Sequence, residues 1–304
     1  MMLFSSLLHL HALHDTVVPE AHGNKTHGAF MELMRRADPQ VATWLHDKNG
    51  RKPFTASPLR GFRAERDGAL RLRAGDEGWL RITLAGDEYF RLFLSRFMDW
   101  ESSAQLAIGG ANFAVSAVTT TPEGHSWAGY TTPEVLMAGA KRETSIAFEL
   151  ATPTAFSMGN NEVELSPRPD LLFDSLARKW AEWCGSTPLP AALPKREWFW
   201  EHARVSDLRL RRECWRFERF MQLGTVGYVS YRIVEAEEFV LRALNTLADF
   251  AFYAGVGRKT TQGMGQVRRI VPHSGSNSPA APLRSASGIV TEQAGETHET
   301  ADAL

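Results

Sequence analysis

Two Gly-x-Gly pairs, Gly255-Val256-Gly257 and Gly263-Met264-Gly265, bracket the polar, cationic span Arg258-Lys259-Thr260-Thr261-Gln262 near the end of the chain. Glycine adopts backbone conformations closed to other residues, so such a stretch turns sharply and approaches a neighbour closely on both flanks. Upstream, Val240, Leu241, Leu244, Leu247, Ala248 and Ala251 recur at helical spacing. They predict a helix of about four turns from near Ala236 to the first glycine. Downstream, Val267 and Ile270 among arginines read as a short strand. The order helix, loop, strand is the reverse of a P-loop or dinucleotide-binding turn, which presents a helix N-terminus to phosphate. Gly257-Arg258-Lys259-Thr260 looks like the end of a Walker A motif, but Arg258 stands where the glycine before the lysine belongs. A nucleotide-binding loop is rejected on both counts. A ligand-contacting loop and a purely structural turn remain.

At 304 residues and 43% hydrophobic, the chain can bury a sizeable core and has length for two domains. A net charge of -1 argues against a generic, highly basic nucleic-acid coat. The tail beyond Val271 carries Glu292, Glu296, Glu299 and Asp302 against Arg284, so the remainder is slightly cationic and any anion site is a local patch. Cys184 and Cys214 are too few for a disulfide framework or an all-cysteine zinc site, which suits a reducing, cytoplasmic interior. Residues Met1 to Leu13 are apolar but lack a preceding positive region and are interrupted by His9 and His11, so they do not read as a signal peptide. No run is long enough to span a membrane, and no membrane partner is expected.

Taken in order, Leu3 to Leu13 reads as a strand, with Leu8, Leu10 and Ala12 on one face and His9 and His11 on the other. His14 falls on the face opposite to those two histidines, which disfavours a shared metal. Glu20 to Ala37 carries a helical stripe of Phe30, Leu33, Met34 and Ala37, and Asp38-Pro39 restarts a helix with aspartate as N-cap and proline at the first position. Leu70 to Arg73 and Trp79 to Leu84 alternate as strands, Asp87 to Trp100 is a helix, and Gln105 to Thr119 returns as strands. After an expected linker, Gly124 to Arg142, the order repeats: a strand from Ser145, a helix from Leu171 to Cys184, strands at Val205 to Leu210 and Cys214 to Tyr231, then the helix before the glycines. Strand, helix, two strands, helix, strand is the ferredoxin-like plan, met twice. The expected fold is therefore α+β, with tandem ferredoxin-like (RRM-like) domains at 1–127 and 128–271, a C-terminal glycine-rich loop, and a disordered tail at 272–304.

The paired glycines after the last helix resemble the signature of the RAMP superfamily of CRISPR-associated RNA-binding proteins. A second stretch is more specific. Asp38-Pro39-Gln40-Val41-Ala42-Thr43-Trp44-Leu45-His46-Asp47, followed by Lys52-Pro53-Phe54-Thr55-Ala56-Ser57-Pro58-Leu59, resembles the active-site segment of the CRISPR-associated endoribonucleases that cut precursor CRISPR RNA within its repeats. The resemblance covers Leu3 to about Ile270. It implies a tandem ferredoxin-like architecture, catalysis by His46 and Lys52, and mature guide RNA as product. The implied partners are CRISPR repeat RNA, other subunits of an interference complex and a second copy of the chain in a homodimer.

RNA is cut without a metal when a base takes the proton of the 2′-hydroxyl, an acid protonates the leaving 5′-oxygen and a cation steadies the transition state. Histidine suits the proton work and lysine the charge. His46 and Lys52, six residues apart across a helix-to-strand turn, converge on one phosphate in this reading, with His46 as base in preference to acid. A helix-end histidine and a solvated turn lysine are the plainer alternatives. Some relatives place a tyrosine on the preceding helix, where a gapless count puts Met31. Methionine transfers no proton, and His27, one turn away, is the candidate to share the work.

For RNA binding, Gly255, Gly257, Arg258, Lys259, Gly263, Gly265 and Arg268 are the candidates, with Arg258 and Lys259 favoured for phosphate. The arginine-rich and tryptophan-rich stretch Lys195 to Arg219 offers further contacts, although Trp198, Trp200 and Trp215 read first as core. No cofactor and no metal are expected. An RNA-binding subunit of the same superfamily that holds its guide without cutting is the rival reading.

Overall fold

The structure, a computed structural model, describes residues 1–271 apart from Ala21, Asn49, Asp67, 99–104 and Asn161. The tail expected to be disordered, 272–304, and the end of the helix expected to reach Trp100 lie outside the described residues. The first half comprises β1 (Leu3–Ala12), β2 (Thr16–Val18), α1 (His22–Ala37), α2 (Pro39–Asp47), β3 (Phe54–Ala56), β4 (Leu70–Leu72), β5 (Glu77–Ala85), α3 (Asp87–Met98), β6 (Gln105–Ile108) and β7 (Ala111–Thr119). Its main sheet runs β3-β5-β1-β7-β6, all antiparallel. Counting the strands of the βαββαβ unit as β1, β3, β5 and β7, the spatial order is fourth, first, third, second, with β6 added at the edge. β2 and β4 form a separate small ribbon.

Strand β8 (Gly129–Thr131) and the short helix α4 (Pro133–Ala138) follow. They fall in the stretch expected as a linker, yet β8 pairs with Leu3, Phe4 and Ser5 of β1 and so extends the first sheet. The second half comprises β9 (Ser145–Thr154), β10 (Phe156–Gly159), β11 (Glu162–Glu164), α5 (Pro169–Trp183), α6 (Arg196–His202), β12 (Ala203–Arg216), β13 (Met221–Ile233), α7 (Glu238–Ala254) and β14 (Val267–Ile270). Its sheet, β12-β13-β9-β14, repeats the same spatial order. The hairpin differs from expectation. The chain turns at 217–220, because the arginine-rich stretch read as a break between strands, Arg211 to Glu213, stays in register with Val226, Thr225 and Gly224.

The apolar stripes lie where their spacing puts them. Leu8, Leu10 and Ala12 of β1 pack with Phe30, Leu33 and Met34 of α1 and Phe93 of α3 in one core. Leu172, Leu176 and Trp180 of α5 pack with Leu244, Leu247, Ala248 and Ala251 of α7 over β9 and β13 in the other. The second core also takes in Leu3 and Ala85 of the first sheet, so the halves share apolar contacts. Asp38 caps α2 as its sequence predicts, its carboxylate accepting the N–H groups of Gln40 at 2.8 Å and Val41 at 3.1 Å.

Arg81 of β5 ties the halves together, only 1% exposed. Its guanidinium donates to Ser5 Oγ at 2.8 Å, to the Trp127 carbonyl at 3.0 Å, to Gln266 Oε1 at 2.6 Å and to the Phe252 carbonyl. It also lies against the Trp127 and Phe252 rings, 4.9 and 4.5 Å from their centroids. Burial pulls its pKa down to about 9, so it remains a cation at neutral pH. Arg81→Leu strips these donors from four buried acceptors across the junction; it should cost about 3 kcal/mol or more, read as a lowered urea midpoint.

Candidate active site

The site is built where the glycine loop, 255–265, meets α1 and β3. Gly263 takes φ of +93° and donates its N–H to the carbonyl of Ala56 in β3 at 3.0 Å. Gly23, in the first turn of α1, faces it. A Cβ on Gly23 would lie 2.5 Å from the Gln262 carbonyl oxygen and 2.6 Å from the Trp215 ring, while one on Gly263 would stand 3.2 Å from Gly23 Cα. Both positions exclude a side chain because backbone meets backbone there. Trp215 Nε1 closes the contact by donating to the Gln262 carbonyl at 3.1 Å.

This docking delivers the Thr261 carbonyl to His27. His27 Nδ1 lies 3.1 Å from that oxygen, and since a carbonyl only accepts, the proton sits on Nδ1 and Nε2 carries the lone pair. The half-buried ring stacks on Phe54, centroids 5.6 Å apart. Its pKa is lowered from 6.5, first by burial; the Thr261 bond opposes this, and the charges of Lys52 and His46 add to the lowering. The structure thus brings together the three residues singled out for chemistry. His46, at the C-terminal end of α2, is 74% exposed and Nδ1 meets Asp47 Oδ1 at 2.9 Å, leaving Nε2 unengaged by that contact. Lys52 Nζ donates to the carbonyls of Leu45 and His46, satisfying the end of α2 and leaving one of its three ammonium hydrogens. Met31, at the position of the absent tyrosine, packs against the first core.

The expected RNA contacts are placed less uniformly. Gly255, Gly257 and Gly265 all take positive φ and shape the loop. The Arg258 N–H bonds the Ala155 carbonyl at 2.9 Å, and its side chain is half-buried. Lys259 sits at φ +57° with its ammonium over the stacked rings of Phe217 and Phe220, 4.7 and 4.6 Å from their centroids, so it is held by the hairpin tip rather than extended to solvent. The tip is pinned to the first half by Arg216 with Glu20 at 2.6 Å and by Glu218 with Lys25. Arg268 is bound by Glu149 at 2.6 Å and lies over Trp127, at the cleft rather than among the histidines. Trp200, read as core, is 55% exposed.

That cleft, about 210 Å³, opens between the halves and is lined by Arg60, Arg81, Trp79 and Trp127 from one side and Glu149, Arg211 and Trp215 from the other. Sequence reasoning missed Arg81 and Gln266 because nothing in their spacing marks them. Among the described residues, no three His, Cys, Asp or Glu side chains are grouped as a metal site would require. The loop contact is testable through its glycines. Gly23→Ala should destabilise by about 1–3 kcal/mol through overpacking. Gly28→Ala, where an added Cβ meets nothing within 4 Å, should stabilise α1 by about 0.5–1 kcal/mol, both read by thermal unfolding.

The chain matches two related family models, the CRISPR Cas6 N-terminal domain over residues 2–137 and the CRISPR-associated endoribonuclease Cas6 over residues 148–267. No curated protein matches it in sequence. Among solved structures it is similar to the product complex of Cas6 (TTHB231) from Thermus thermophilus, with 28% identity and a TM-score of 0.74 over 88% of this chain and 100% of that one. The Cas6 (TTHA0078) product complex is similar at 29% identity and a TM-score of 0.69, over 89% of this chain and 100% of that one. A Cas6-related protein from Pyrococcus furiosus, at 15% identity and a TM-score of 0.56 over 89% of this chain and 99% of that one, shares the fold. With both halves of the chain matched in sequence and the tandem fold matched in space, this protein belongs to the CRISPR-associated endoribonuclease Cas6 family.

Proposed function

We propose that this chain cuts CRISPR repeat RNA within precursor transcripts, without a metal, by attack of the 2′-hydroxyl on the adjacent phosphate. The products in this reading are a 2′,3′-cyclic phosphate upstream and a 5′-hydroxyl downstream. The observation that carries it is the grouping of His27, His46 and Lys52 at the junction of α1, the α2–β3 turn and the glycine loop. Burial keeps His27 neutral and the Thr261 carbonyl keeps its lone pair on Nε2, which suits it to take the 2′-hydroxyl proton. His46, oriented by Asp47, then supplies the proton to the leaving 5′-oxygen. This reverses the role read from sequence, where His46 was preferred as base. The remaining hydrogen of the Lys52 ammonium serves a phosphate oxygen. Arg258, half-buried at the surface of the glycine loop, contacts the RNA backbone in this reading.

Cleavage of a labelled cognate repeat should persist in EDTA and stop with a 2′-deoxy nucleotide at the scissile position. His27→Ala and His46→Ala should each lower the single-turnover rate by about 10² to 10⁴ with binding retained. If wild type binds but never cuts, the guide-holding reading replaces this one. Protonation removes the lone pair of His27, so its function as base is lost as pH falls through its pKa. Because that pKa is lowered from 6.5, the acid limb of the pH–rate profile should lie below 6.5. An acid limb at or above 6.5 would move the base away from His27.

A further inference from the structure

Helix α5 of the second half reaches two of the segments that form the site, through residues on one side of the helix. Ser175, Lys179, Glu182 and Trp183 follow at successive helical neighbours. Ser175 Oγ accepts the N–H of Gly257 at 3.0 Å. Lys179 Nζ, on a residue 4% exposed, donates to the carbonyls of Ala254 at 2.7 Å and Gly255 at 3.1 Å, and to Thr260 Oγ1 at 3.2 Å. Three donors meet three acceptors. Further along, Glu182 accepts the N–H of Arg51 at 2.8 Å and its guanidinium at 2.6 Å, while Trp183 Nε1 donates to the Arg51 carbonyl at 3.2 Å.

We propose that α5 is the brace that sets the glycine loop and the α2–β3 turn in register with His27 and His46, with Lys179 and Glu182 as positioning residues. Lys179 holds the start of the glycine loop and Thr260, so the adjacent Thr261 carbonyl meets His27. Glu182 and Trp183 hold Arg51, so the adjacent Lys52 reaches the end of α2 beside His46. The proposal rests on the reading of His27 and His46 as the proton carriers. A buried ammonium is costly to desolvate, and a core position needing only bulk is better filled by an apolar side chain. The ammonium matches what stands there: two carbonyls at the C-terminal end of α7, where the helix dipole is negative, and a hydroxyl of the loop.

The test uses the full chain labelled with ¹⁵N-histidine, with His27 signals assigned by their loss in His27→Gln. In wild type, the ring should report the Nδ1–H tautomer. In Lys179→Met, the tautomers should mix, and the single-turnover rate at saturating protein should fall about 10- to 100-fold. Affinity for a 2′-deoxy repeat should hold within about threefold. Glu182→Ala should lower the rate about 10-fold with His27 unchanged, because it loosens the other segment. An unaltered tautomer in Lys179→Met, or parallel losses of rate and affinity, would overturn the brace. If Lys179→Met does not fold, Thr260→Val keeps the shape and removes one acceptor. It should shift the tautomer and slow cleavage several-fold, and no change in either would sink the proposal. Wild type that fails to cut repeat RNA would instead refute the catalytic reading, while the tautomer measurement, made without RNA, still decides the brace.

Discussion

Two glycines facing each other, Gly23 at the start of α1 and Gly263 in the glycine loop, are the contact on which the site depends. Because neither carries a Cβ, the backbone of one half lies directly on the backbone of the other, and the Gly263 N–H bonds the edge of β3 at Ala56. Everything local follows from that distance. The Gln262 carbonyl meets the Trp215 indole and the Thr261 carbonyl meets the His27 imidazole, so one short turn fixes an aromatic wall and a tautomer together. Side chains do not make this junction close, and a side chain at either position would open it.

The glycine loop is therefore less a free phosphate cradle than a hinge pin between two ferredoxin-like units. Its cation Lys259 is held over Phe217 and Phe220, so the loop and the tip of the β12–β13 hairpin form one body. Ion pairs from the tip to Glu20 and Lys25 fasten that body to α1. Surface pairs of this kind contribute little energy singly, about 0–1 kcal/mol, but they specify where the hairpin lies relative to the histidines.

Much of the architecture was legible because periodicity reports burial directly. β1, α3, α5 and α7 stand where their apolar spacing puts them, and the repeated strand and helix order already implied two sheets of the same topology. Less legible was anything decided by partners distant in sequence. β8 looked like linker because only its pairing with β1 makes it a strand. The first strand of the β12–β13 hairpin reads as ending at Leu210, because only its cross-strand register with β13 carries it on to Arg216. His46 and Lys52 were marked by the resemblance of their segment to a known family, whereas the orientation of His27 depends on a carbonyl 234 residues away. Lys179 had left a signal. It shares the spacing of Leu172, Leu176 and Trp183, and a lysine at a core position of an amphipathic helix announces buried acceptors.

Arg81 shapes the cleft as well as the junction. Among the described residues it forms no ion pair; its partners are carbonyls, a hydroxyl and an amide, all neutral. A whole positive charge is thus left at the floor of a groove in a protein whose net charge is -1. Counterions cannot approach a residue 1% exposed. Its field is accordingly carried through protein rather than electrolyte, and survives ionic strengths that quench surface arginines. The groove thus carries one cation that salt does not screen, set against the carboxylates of Glu20, Glu149 and Glu213 that also line it.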